Sequence, residues 1–237
     1  MTALVVAGRE LRGAFSLPIA YVVVAAFLVL SGSYLFVLHP FFVVGRATLR
    51  PLFEFAPFLF TLFAPAITMR GLAEERRAGT LELLLTWPVS DGALVLGKFL
   101  GAWGLLALAV GLTLPAALSV AALGDLDWGP VWGGYVGLLL LGGAYLALGL
   151  LASALTANQI VAFIFGFLAC FVGFSVGRLA EVAPDGLGAI LHGLSFERRF
   201  SRVARGVLDS RDLVFFGTVI WLSLAVTAER LRARRWR

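Results

Sequence analysis

Residues 131–155 read Val131-Trp-Gly-Gly-Tyr-Val-Gly-Leu-Leu-Leu-Leu-Gly-Gly-Ala-Tyr-Leu-Ala-Leu-Gly-Leu-Leu-Ala-Ser-Ala-Leu155, a run with no charged residue. A helix crosses the hydrocarbon core of a bilayer with about 20 apolar residues, so the run is long enough to span. A closed barrel can also hide its backbone from lipid, but its strands alternate apolar and polar residues over about 10 positions. Leu138-Leu139-Leu140-Leu141 does not alternate. Working outward, the same reading gives spans at about 17–38, 52–69, 99–123, 159–178 and 212–229. The expected fold is an all-α membrane protein with six transmembrane helices, organised as one transmembrane domain over 1–237.

Composition agrees. The 237 residues are 60% hydrophobic and 14% charged, against roughly 45–50% and 25% in soluble domains, and the mean hydropathy is +0.96. An independent domain needs roughly 50–250 residues. The connections are shorter, so no soluble catalytic or nucleotide-binding domain is expected between the spans. The net charge of +5 comes from basic residues at span ends, where they meet lipid headgroups, and implies no nucleic acid. Cys170 stands alone, which excludes an internal disulfide and a multi-thiolate metal site.

The first span is too long for a cleavable signal, whose apolar region runs about 7–15 residues. Before it, residues 2–16 form an amphipathic interfacial helix, with Leu4, Ala7, Leu11, Ala14 and Phe15 on one face and Arg9, Arg12 and Ser16 opposite. Six spans put both termini on one side. Of the 19 basic residues, those at 9–12, 70–98 and 230–237 fall there and outnumber those on the other side. Positive charge favours the cytoplasm, so both termini are expected to be cytoplasmic.

Two connections are long enough to carry function, a cytoplasmic one at 70–98 and an external one at 179–211. In the external one Phe196, Phe200, Val203 and Val207 recur at helical spacing among Arg198, Arg199, Arg202 and Arg205, with Gly206 as a stop. Asp209 or Ser210 can cap the last span. In the cytoplasmic one, span two runs on as a charged helix until Gly79 ends it, and Thr80 caps a short stub of Leu81, Leu83, Leu84, Leu85 and Trp87 before Pro88. Buried, each of these apolar side chains contributes about 1.5–3 kcal/mol. The stub either packs on its own bundle or is covered by a partner.

Glu74-Glu75-Arg76-Arg77-Ala78-Gly79-Thr80-Leu81-Glu82-Leu83-Leu84-Leu85-Thr86, with Ala64-Pro65 before it and Pro88-Val89-Ser90-Asp91 and Leu96-Gly97-Lys98-Phe99 after it, resembles the intracellular loop of type-2 ABC exporter permeases. Within these it is most similar to the gliding-motility-associated permeases. Arg205-Gly206-Val207-Leu208-Asp209-Ser210-Arg211-Asp212 resembles the segment leading into that subgroup's last span, although Phe215-Phe216 stands where the subgroup usually has Tyr-Phe. The resemblance implies a permease subunit of an ATP-binding-cassette exporter in a bacterial cytoplasmic membrane. Its coupling helix would dock on a separate ATPase pair through Glu74, Glu75, Gly79, Thr80, Glu82, Leu83, Leu84 and Pro88. ATP and magnesium would sit on that ATPase, with no cofactor on this chain, and a second permease chain, identical or related, would complete the transporter.

Two motifs point elsewhere. Gly92 to Phe99 spells a P-loop but ends in Phe99 where a hydroxyl is needed for magnesium. Lys98 is expected at the headgroups. Gly173-Phe-Ser175-Val-Gly177 matches G-x-S-x-G, so an intramembrane serine hydrolase using Ser175 is the alternative, but His39 and His192 both lie outside the spans. Gly97 with Gly101, and Gly129, Gly133 and Gly137, are spaced for close helix approach. A non-transporting membrane scaffold is the remaining alternative. The scarce polar residues in or beside spans, Glu54, Asn158, Gln159, Ser175 and Arg178, are the candidates for a translocation path, and Pro57 and Pro65 are expected to kink span two.

Overall fold

The computed structural model describes residues 3–16, 18–38, 47–80, 90–182, 185–207 and 209–235. The described secondary structure is helical, with no strand among the described residues. Among the described residues six helices are long and apolar enough to cross a membrane: Pro18–Leu38, Arg50–Arg77, Asp91–Leu123, Trp128–Leu155, Gln159–Glu181 and Ser210–Ala233.

The chain opens with α1 (Ala3–Phe15) and α2 (Pro18–Ser33). A π-helical turn, Tyr34–Leu38, extends α2 and stacks the Tyr34 ring on Phe55 at 4.2 Å. In α3 (Arg50–Thr68), Pro51 occupies the first turn, where its missing N–H is harmless, and Pro57 and Pro65 lie inside. A turn at Met69–Leu72 separates α3 from the short α4 (Ala73–Arg77), so the charged continuation of span two is a broken helix. Gly79 follows with φ +69, a left-handed conformation that glycine adopts without a Cβ clash.

Span three begins eight residues before the expected 99. The Ser90 side chain accepts from the Ala93 N–H and starts α5 (Asp91–Gly111). After a break, Pro115 lies in the first turn of α6 (Leu114–Leu123), where it has no N–H to continue the ladder. Span four is α7 (Trp128–Leu155), capped by Asp127 on the Gly129 N–H. It is the most buried span and packs against α3 and α5, and against α8 (Gln159–Val182). Two short helices follow, α9 (Asp185–Leu194) and α10 (Phe196–Ala204). The last span is α11 (Ser210–Arg235). Its start is held by Asp209, whose side chain accepts from the Arg211 N–H at 2.9 Å.

Both amphipathic helices are seated on small residues rather than free of the bundle. α1 crosses α5 where a Cβ on Gly97 would lie 2.5 Å from the Val6 Cβ, and one on Gly101 2.7 Å from the Glu10 Cβ. The expected face holds over most of the helix, with Leu11, Ala14 and Phe15 packed on the core and Arg9, Arg12 and Ser16 exposed, but at its start Val6 is buried in place of Leu4, which is 74% exposed. α10 lies on α7 over Gly133 and Gly137, which face Val203, Gly206 and the Phe200 ring. Phe196, Phe200 and Val203 are buried as their spacing predicts, but Val207 is exposed, because the helix ends at Ala204 and Gly206 turns the chain with φ +85.

Candidate functional site

Two constructions, at opposite ends of the spans, carry chemistry. At the end that holds the termini, α4 is bolted to its neighbours. The turn at Met69–Leu72 leaves the Leu72 and Ala73 N–H groups without a place in the α3 ladder, and both donate to Ser153 Oγ at 3.0 Å. That hydroxyl, fully buried on α7, donates in turn to the Met69 carbonyl at 3.1 Å. Arg70 grips Glu74 with two bonds of 2.6 and 2.7 Å. Arg76 donates to the Ala154 carbonyl at 3.4 Å.

Beside it lies an ion cluster. Lys98 is 4% exposed, and its Nζ donates to Glu75 Oε1 at 2.6 Å and to Glu10 Oε1 at 2.9 Å. The expected headgroup position of Lys98 is thus overturned. An ammonium out of water is tolerated only when it is paired and hydrogen-bonded, and here two carboxylates do so. Glu10 belongs to α1, Glu75 to α4 and Lys98 to α5, so one amine joins three elements. A cavity of about 450 Å³ between α1, α2 and α4 adjoins the cluster.

At the opposite end, a cavity of about 1000 Å³ opens between α3, α7, α8 and α10, with Tyr34 at its edge. Phe53, Phe58, Phe174 and Phe200 line it, and Arg50, Glu54, Asp127, Arg178, Glu197 and Arg205 bring charge to it. Arg50 pairs with Glu54 at 2.7 Å. Arg178 reaches Glu197 only at 3.5 Å and lies 5.2 Å from the centre of the Phe174 ring. Outside the cavity, Asp212 is fully buried and held by Arg199 and Arg202 of α10.

A family model described as "ABC-2 family transporter protein" matches residues 49–193, more than half of the chain. The chain belongs to the ABC-2 transporter family. It is similar to a "Probable ABC transporter permease protein NosY" of Pseudomonas aeruginosa, 30% identical over 210 residues that cover 77% of this chain and 75% of the relative. A like-named protein of Stutzerimonas stutzeri is 42% identical over 78 residues, which cover 32% of this chain and 28% of that one. The chain is a multi-pass membrane permease of an ABC transporter, a transport subunit whose family in general works with an ABC ATPase.

Of the residues singled out from sequence, Glu54, Ser175 and Arg178 share the large cavity of this permease. Asn158 and Gln159 do not. They begin α8 at the other end, where Asn158 Oδ1 accepts from the Ile160 N–H at 2.9 Å as a helix cap. In the connection, Glu74 and Glu75 are engaged by Arg70 and Lys98, and Gly79 and Thr80 are exposed. Glu82, Leu83, Leu84 and Pro88 lie outside the described residues, as does the rest of the leucine stub. The G-x-S-x-G glycines seat α10: Gly173 faces the Phe196 ring and Gly177 the Ser195 side chain. Glu10, Ser153, Glu197 and Asp212 were missed as functional candidates. Glu10 and Asp212 carry a usable signal, an acidic residue within an otherwise basic segment, whereas a serine among alanines and leucines carries none.

Proposed function

We propose that this chain is the transmembrane subunit of an ABC exporter, moved by a pair of separate ATPase subunits that dock on the 70–98 connection. ATP and magnesium belong to those subunits. In this reading the termini and the connection face the cytoplasm of a bacterial cell, and a second copy or a related permease completes the path. Placement beside the gliding-motility-associated permeases rests on the two stretches quoted above.

The observation that carries the reading is the buried Lys98 amine shared by Glu10 and Glu75. A loop that only connected two spans would need no such fastening. Separating one partner of a buried pair costs about 3–5 kcal/mol, so a push on the connection is passed to α1 and α5 through Lys98, and to α7 through Ser153, before it is lost in loop bending. The contact residues then divide by task. Gly79 and Thr80, with Glu82, Leu83, Leu84 and Pro88, meet the ATPase. Glu74 and Glu75 hold the connection rigid. Glu54, Ser175 and Arg178 belong to the path at the far end, and Asn158 and Gln159 are dropped from it.

Two variants co-expressed with the ATPase test this. Glu82→Arg puts a cation into the docking surface and should abolish co-purification of the two subunits. Lys98→Met should leave them associated but lower permease-stimulated ATP hydrolysis about tenfold, the equivalent of a coupling free energy within the usual 1–3 kcal/mol. An intact Glu82→Arg complex, together with undiminished stimulation in Lys98→Met, would overturn the proposal.

A further inference from the structure

We propose that the cavity at the end opposite the termini is a binding site for a single-chain amphiphile with a zwitterionic headgroup. This names a substrate class for the path described above, and it rests on the transport reading only in treating that amphiphile as cargo.

Four observations lead to this class. First, a volume of about 1000 Å³ lies at the upper end of the ~300–1,000 Å³ typical of small-molecule sites, room for one chain and a head but not for a folded segment. Second, Phe53, Phe174 and Phe200 are buried in its wall and Phe58 is exposed, an aromatic surface suited to a hydrocarbon chain. Third, the six charged side chains are three guanidiniums and three carboxylates. Arg50 and Glu54 already satisfy each other, which leaves Arg178 and Arg205 beside Asp127 and Glu197, so a head of one sign would be drawn to one pair and repelled by the other. A head carrying both signs satisfies both sets. Fourth, the pairing is incomplete at one spot. Arg178 and Glu197 stand 3.5 Å apart, near the outer limit of contact, and Arg205 has no carboxylate partner among the described residues, giving its Nε to the Ser201 carbonyl instead. A phosphodiester placed between Arg178 and Arg205 gains charge-assisted hydrogen bonds. The head's ammonium then meets Glu197, whose hold on Arg178 is long at 3.5 Å.

The test uses three ligands with the same twelve-carbon chain: dodecylphosphocholine, dodecyl sulfate and dodecyl maltoside. Each is titrated against the full chain in nanodiscs, and bound ligand is counted by native mass spectrometry. One dodecylphosphocholine per chain is expected, at least tenfold tighter than either of the others. Arg178→Gln and Glu197→Gln should each weaken it at least fivefold, and Ser175→Trp, which fills the cavity, should remove it. Glu229→Gln, at the far end of α11, should change nothing, which separates site effects from general effects of lost charge. Equal affinity for the three heads, or indifference to all three cavity variants, overturns the proposal. With the ATPase and MgATP added, release of dodecylphosphocholine marks it as cargo. Retention leaves the binding site standing, marks the occupant as a resident lipid and counts against the export of this class.

Discussion

α1 and α10 are built alike and do different work. Each is a short amphipathic helix seated on a pair of glycines four residues apart in a neighbouring span, Gly97 and Gly101 for α1, Gly133 and Gly137 for α10. Each is fastened by one buried charge shared between two opposite ones. The signs are reversed: Lys98 holds Glu10 and Glu75, while Asp212 holds Arg199 and Arg202. The difference that matters is where the partners come from. Both arginines belong to α10, so Asp212 pins one helix to the start of the last span. The two glutamates belong to different elements, so Lys98 links α1 to the 70–98 connection. Similar parts yield a pin on one side and a joint on the other.

The sharpest way to break this contrast is to remove the central charge at each end. Lys98→Met should destabilise the protein by about 3–5 kcal/mol, since two carboxylates stay behind in a site where Glu75 is 17% exposed and Glu10 27%. Thermal unfolding of the purified chain checks this. Adding Glu75→Gln to Lys98→Met should recover part of the loss, because the more buried of the two stranded charges is gone. A double variant no better than the single one would mean that the cluster is not coupled as drawn.

Asp212→Asn should cost less, about 1–3 kcal/mol, because Arg202 is 46% exposed and can turn to water. The contrast also predicts a functional difference. If α10 is only pinned, Asp212→Asn leaves permease-stimulated ATP hydrolysis near its original value while Lys98→Met does not. Equal loss of stimulation in the two variants would erase the distinction between pin and joint.

How much of this was legible in the sequence follows from the range of the interactions involved. The six spans are continuous apolar runs, a property of each segment alone, and they could be read directly. The helicity of α10 and the burial of Phe196, Phe200 and Val203 were likewise written in local spacing. The first turn of α1 is not: Gly97 and Gly101, some ninety residues away, admit Val6 and Glu10 and leave Leu4 in the open, while the rest of the helix keeps the face its spacing gives. Lys98 reads as a headgroup residue for the same reason, since a lysine beside an apolar run snorkels unless carboxylates meet it, and Glu10, although it stands out between Arg9 and Arg12, does not show which cation it meets. Glu54, Ser175 and Arg178 were found because polar residues are scarce near spans. Scarcity does not say which of them share an end, so Asn158 and Gln159 were grouped with them.

Ser153→Ala should be the next smaller effect, about 1–3 kcal/mol, since it removes the acceptor for two buried backbone N–H groups. Its value lies in what accompanies the loss. The alanine leaves the ion cluster intact, so the variant separates the tie to α7 from the tie to α1. Amide hydrogen exchange should rise at Leu72 and Ala73 without a matching rise in α1. Exchange rising in both segments would show that the connection moves as one body however it is loosened, and the joint would then extend through α7 as well as Lys98.

Gly133→Ala has the smallest expected effect on function and bears on the pin. A Cβ there would meet the Val203 carbonyl and the Gly206 backbone, atoms that cannot swing aside as a side-chain tip does, so α10 must lift as a unit. Overpacking of this kind costs about 1–3 kcal/mol, toward the upper limit here because backbone atoms must move. Since Phe200, Ser201 and Ala204 of that helix line the large cavity, lifting it widens the cavity while every lining side chain keeps its chemical identity. The variant should therefore weaken dodecylphosphocholine binding modestly and leave the stimulation of ATP hydrolysis unchanged. The reverse pattern would place α10 in the train of moving parts with α1, and the symmetry of construction between the two helices would then extend to their function.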